Sequence, residues 1–107
     1  MALTEVDENS IETILNAAFE KGETVILKFG SEWCEPCHAL EGELEEIDEE
    51  HEDVSVLMVD TDESQELAAQ YSIRQLPTML IFRKRDELIY RGEGVLLASD
   101  IMEIVRS

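Results

Sequence analysis

The sequence predicts an α/β fold, and three observations carry that prediction. Two apolar, partly β-branched runs, Thr24–Phe29 and Val54–Val59, read as strands buried on both faces. Apolar residues between them recur at helical spacing, and the C-terminal third reads as two strands followed by a helix.

Residues 2–6 read as a short strand. Asn9-Ser10 then reads as a helix cap, with Glu12 three residues after Asn9 in the manner of a capping box. Ile11, Ile14, Leu15, Ala18 and Phe19 share one face of the helix that follows, and Lys21-Gly22 reads as its stop. The strand Thr24–Phe29 delivers the chain to the cysteines. From Cys34 to about Glu50, Leu40, Leu44 and Ile47 form one stripe of a helix whose other faces are acidic, with Gly42 inside it to weaken, bend or closely pack it. After Val54–Val59, Asp62 with Gln65 suggests a cap for a short helix through Leu67, Ala68 and Tyr71. Met79–Phe82 and Glu87–Arg91 flank a polar turn, Gly92-Glu93-Gly94 breaks the second of these strands, and Ser99 reads as the cap of a last helix carrying Ile101, Ile104 and Val105. The order is β-α-β-α-β-α-β-β-α.

A chain of 107 residues with 44% hydrophobic content suffices for one core, so a single domain over 1–107 is expected. No stretch approaches the roughly 18 consecutive apolar residues of a membrane span, and no signal or lipidation motif is read, so no membrane partner is expected. Acids outnumber bases 26 to 8, for a net charge of −18, and neither Lys nor Arg occurs from Phe29 through Ile73. Such a field repels nucleic acid and favours basic docking surfaces. A reducing cytoplasm is the expected compartment, where a cysteine pair is more often catalytic than structural.

Both cysteines lie in Trp33-Cys34-Glu35-Pro36-Cys37-His38, where a strand-like run gives way to a helix-like one. Two thiols separated by two residues at a helix N-terminus can close a small disulfide, and the free N–H groups and dipole there stabilise a thiolate. Pro36 falls in the first helical turn, where its missing N–H costs nothing and its ring stiffens the loop between the thiols. Three other readings compete. Cys-x-x-Cys-His also fits covalent haem attachment, which the absence of an export signal disfavours. A zinc site would need His38 and His51 as well, since no second cysteine pair exists. An inert disulfide closing so short a loop would add little stability.

Joined to Trp33, Tyr71-Ser-Ile-Arg74, Gly94, and a Leu76-Pro77-Thr78 segment whose proline lies 40 residues after Cys37, this motif resembles the thioredoxin family over almost the whole chain. The resemblance implies the thioredoxin fold, a central mixed five-stranded sheet flanked by four helices, and a protein-disulfide reductase needing no cofactor beyond its Cys34-Cys37 disulfide. It implies that Cys34 attacks substrate disulfides and that the more buried Cys37 resolves the mixed disulfide. Pro77 would be cis and face the cysteines, Leu76 would offer backbone hydrogen bonds to an extended substrate, and Trp33 with the Gly94-Val95 loop would complete an apolar rim. Protein disulfides are the implied substrates and a separate disulfide reductase the electron donor, with the chain acting as a monomer.

The sequence departs from the family pattern at named positions. Glu35 replaces the usual glycine and sets a carboxylate beside Cys34, which disfavours its thiolate; His38 replaces the usual basic residue and can change charge near neutral pH. Lys28 stands where thioredoxins keep a buried aspartate, and Met58 where its lysine partner would be. An unpaired lysine in a buried strand is costly, so Lys28 should find a partner or reach water, and strand alternation nominates Asp60 as the partner. So paired, Lys28 stays protonated and cannot serve as a base. These departures keep two alternatives open: a dedicated donor to one client pathway, and a thioredoxin-fold binding or scaffold protein whose cysteines are not essential.

Overall fold

The computed structural model describes residues 3–107, so Ala2, the expected start of the first strand, lies outside the described residues. Nine elements follow in the expected order: β1 (Thr4–Glu5), α1 (Ile11–Glu20), β2 (Thr24–Gly30), α2 (Glu35–Glu50), β3 (Val54–Asp60), α3 (Gln65–Gln70), β4 (Thr78–Lys84), β5 (Glu87–Glu93) and α4 (Ala98–Arg106). The sheet order is β1-β3-β2-β4-β5, with β1, β3 and β2 parallel and β4 and β5 antiparallel to their neighbours. This is the mixed five-stranded sheet with four helices that the resemblance implied. No helix is long and apolar enough to cross a membrane among the described residues.

Alternation along β2 divides the core into two layers. Val25, Leu27 and Phe29 pack with Ile11, Leu15 and Ala18 of α1 and Leu67 of α3, whereas Ile26 packs with Leu40, Leu44 and Ile47 of α2 and Ile101 of α4. Every β2 residue from Val25 to Gly30 is buried, as a strand covered by helices on both faces should be. Lys28 is therefore carried to the same face as Ile26, under α2, at 3% exposure.

The helix starts correct the local readings. The expected box of Asn9 and Glu12 does not form at α1: Ser10 is the N-cap residue, and Asp7 Oδ1 accepts the backbone N–H groups of Asn9 and Ser10 at 2.9 and 3.0 Å. Glu12 instead pairs with Arg85. Ser64, not Asp62, is the N-cap of α3, while the Gln65 side chain reaches back to the Asp62 carbonyl. At α4 the helix begins one residue before Ser99, with Leu97 at the N-cap. None of these three N-cap residues makes a side-chain capping hydrogen bond, so local capping chemistry did not set where the helices start.

The register brings three distant segments to one end of β2. Phe29 pairs with Thr78 and Thr78 with Glu93, so Pro77 and Gly94 lie where β2 runs on towards the cysteines. Gly94, at φ +93°, donates its N–H to the Pro77 carbonyl at 3.0 Å. A left-handed backbone of this kind favours glycine. From β5, Arg91 donates to the carbonyls of Tyr71 and Ser72, both at 2.8 Å, and holds the segment that leads into Leu76.

Candidate active site

Cys34 is the N-cap of α2, and its sulfur accepts the backbone N–H of Cys37 at 3.2 Å. Pro36 sits in the first helical turn, as its chemistry requires. The two cysteines form a disulfide, which leaves Cys34 partly exposed and Cys37 fully buried. The outer sulfur can be reached by another molecule and the inner one cannot. The free N–H groups and positive dipole end of a 16-residue helix also point at Cys34.

Trp33 is 86% exposed and Val95 42%, while Leu76 is partly covered and Pro77 buried. The Leu76-Pro77 peptide bond is cis. Glu35 is exposed at the first position of α2, with its carboxylate in the favourable first turn of the helix.

Lys28 corrects the expected pairing. Its ammonium lies 3.1 Å from Glu41 Oε2 of α2, not on Asp60. Strand alternation did place Asp60 on the correct face, but Asp60 pairs in register with Gly30, and its carboxylate accepts the Asp62 N–H at 2.9 Å. Glu41 lies one helical turn beyond Cys37 and so returns to the face of α2 that looks down on β2. That Cys37-to-Glu41 spacing was the signal in the sequence that would have found it.

His38 joins the same group. Its Nε2 lies 2.8 Å from the Glu32 carbonyl and its Nδ1 3.4 Å from Glu41 Oε2. Glu5, Lys28, Glu32, His38, Glu41 and Asp60 all border a cavity of about 140 Å³ beside the cysteine loop. The Glu5 carboxyl is held above the usual carboxylate range, first by burial and then by the negative charges of Glu63, Asp60, Asp7 and Glu32. Among the described residues, no group of three or more His, Cys, Asp and Glu side chains is placed to hold a metal ion.

The comparisons agree with this geometry. Residues 3–107 match the family model described as Thioredoxin. Thioredoxin H5 of rice is 32% identical over 82 residues, 77% of this chain but 61% of the rice protein, so the match spans less than two thirds of that relative. The thioredoxin of Rickettsia bellii is 33% identical over 88 residues, covering 81% of this chain and 80% of its own. A crystal structure of chloroplastic thioredoxin z superposes with a TM-score of 0.85 at 31% identity, covering 99% of this chain and 93% of that one. With a family match over nearly the whole chain, and its two cysteines joined at the start of α2, this protein belongs to the thioredoxin family.

Proposed function

We propose that this protein is a thiol-disulfide oxidoreductase that reduces protein disulfides through Cys34 and Cys37. The observation that carries the reading is the asymmetry of the pair: an accessible sulfur at a helix N-cap, bonded to a buried one. In the reduced chain the Cys34 thiolate attacks one sulfur of a substrate disulfide, the substrate S–S bond breaks, and the released substrate thiolate takes up a proton. Cys37 then gives up its proton and attacks Cys34 Sγ. The mixed disulfide breaks, and the second substrate sulfur leaves as a thiol. The substrate has gained two electrons and two protons, and Cys34-Cys37 is again oxidised. A separate disulfide reductase returns the two electrons.

Substrate docking in this reading uses the rim at the end of β2. Among the described residues none hydrogen-bonds the Leu76 backbone, which leaves its N–H and C=O free for an extended peptide beside the cis Pro77. Trp33, Gly94 and Val95 supply exposed contact area around it. The chain acts as a monomer in a reducing cytoplasm, and its net charge of −18 selects partners with basic docking surfaces.

Insulin reduction driven by dithiothreitol tests the reading: turbidity that depends on the chain supports it, and none would make this a scaffold protein with non-essential cysteines. Repeating the assay with a disulfide reductase and a nicotinamide cofactor separates a general reductase from a donor dedicated to one client, which would turn over with dithiothreitol alone.

A further inference from the structure

Gly30 lies between Lys28 and the cysteine loop, and the side chain it lacks leaves the space that Lys28 and Cys37 share. A Cβ on Gly30 would sit 2.7 Å from Lys28 Nζ and 3.1 Å from Cys37 Sγ, so the ammonium and the buried sulfur border one gap. Lys28 is 3% exposed and Cys37 0%, so solvent screens one from the other poorly. The carboxylate paired with the ammonium, Glu41, is itself partly exposed. Its charge is spread into solvent while the ammonium remains inside. The other charged or titratable groups facing Lys28 across the cavity are His38 of α2, Glu32 of the cysteine loop, Glu5 of β1 and Asp60 of β3.

We propose that Lys28 is an electrostatic positioning residue that stabilises Cys37 as a thiolate once the disulfide is opened, with Glu41 setting how much of the ammonium charge the sulfur feels. The inference rests on the disulfide-reductase reading above for its place in the reaction. In the resolving step the Cys37 thiol releases its proton to solvent and the thiolate attacks Cys34 Sγ; the substrate sulfur departs with the electron pair of the broken S–S bond and is protonated. Lys28 neither gives nor takes a proton in this step. The same charge favours the reduced form of the couple over the disulfide, so the potential is less reducing than this fold would have with a neutral residue at position 28. Where the resemblance implies an acid beneath the disulfide, this chain has a lysine.

The experiment uses the full-length reduced chain and 5,5′-dithiobis(2-nitrobenzoate), whose attack by Cys34 releases one nitrothiobenzoate and whose resolution by Cys37 releases the second. In Lys28→Met the second phase should be about tenfold slower at pH 7, with the difference closing as pH rises far enough to ionise a thiol unaided. Lys28→Arg, which keeps the charge, should restore most of the rate. Equilibration with glutathione buffers should show Lys28→Met more reducing by about tenfold in the equilibrium constant, or about 30 mV. Glu41→Gln, which removes the carboxylate charge but keeps a polar partner for the ammonium, should shift the potential in the opposite direction, with a urea titration confirming that the variant is folded. An unchanged potential in both Lys28→Met and Glu41→Gln, or a shift of the same sign in both, overturns the inference. The potential is read without any protein substrate, so a shifted potential in a chain that fails to reduce insulin would overturn the reductase reading alone.

Discussion

Glu43 Oε1 on α2 accepts the backbone N–H of Ala98, the first residue of α4, at 2.8 Å. The N-cap residue Leu97 has no side-chain acceptor, so a carboxylate from a different helix does the capping and sits at the positive end of the α4 dipole. Glu43→Ala should therefore lower stability by about 1–2 kcal/mol in urea titrations. Glu43→Gln, which keeps an acceptor, should recover much of the loss. Equal losses in the two variants would trace the effect to packing and not to the cap.

Gly42 sits inside an unbroken helix, and a Cβ there would meet nothing within 4 Å. Close packing does not account for the glycine. Gly42→Ala should stabilise the protein by roughly 0.5–1 kcal/mol, because alanine loses less backbone freedom on folding. A lower urea midpoint would show that α2 needs local flexibility.

Glu5 is an exposed residue whose carboxyl is nevertheless held above the usual carboxylate range, by burial first and by surrounding acids after that. A carboxyl with a raised folded-state pKa opposes folding once it is ionised, and the penalty disappears as pH falls through that pKa. Glu5→Gln should thus raise Tm at pH 7, by roughly 1–3 °C given how exposed the group is. The gain should vanish at acidic pH and shrink in about 1 M salt, where screening shortens to about 3 Å. A lower Tm at pH 7 would mean that ionised Glu5 makes a favourable contact.

In the proposed function the partly exposed Cys34 is the attacking sulfur and the buried Cys37 the resolving one. Cys34→Ser should abolish exchange, whereas Cys37→Ser should still attack disulfides and accumulate mixed disulfides that gels run without reductant can display. Capture of partners by Cys34→Ser in place of Cys37→Ser would reverse the assignment.

The element order was legible because the apolar period belongs to each segment alone: Val25 to Phe29 read as a strand, and Leu40, Leu44 and Ile47 as a helical stripe, before any neighbour is known. The cysteine site was legible for the same reason, since Cys34, Pro36 and Cys37 act within a single helical turn. Choices among many similar partners were not. Asn9 with Glu12, Asp62 and Ser99 each satisfied a local capping rule, yet the N-cap positions fall to Ser10, Ser64 and Leu97, none with a side-chain capping bond of its own, and at α4 Glu43 supplies the acceptor. Lys28 shows the limit most clearly. Strand alternation gave the face it occupies and burial required a partner or water, but Asp60 and Glu41 were both available on that side. A sequence rich in acids carries little information on which carboxylate lies within 4 Å, because ion-pair distance depends on how a helix seats on a sheet. The packing of α2 over β2 decided for Glu41, and with it the charge that stands beside Cys37.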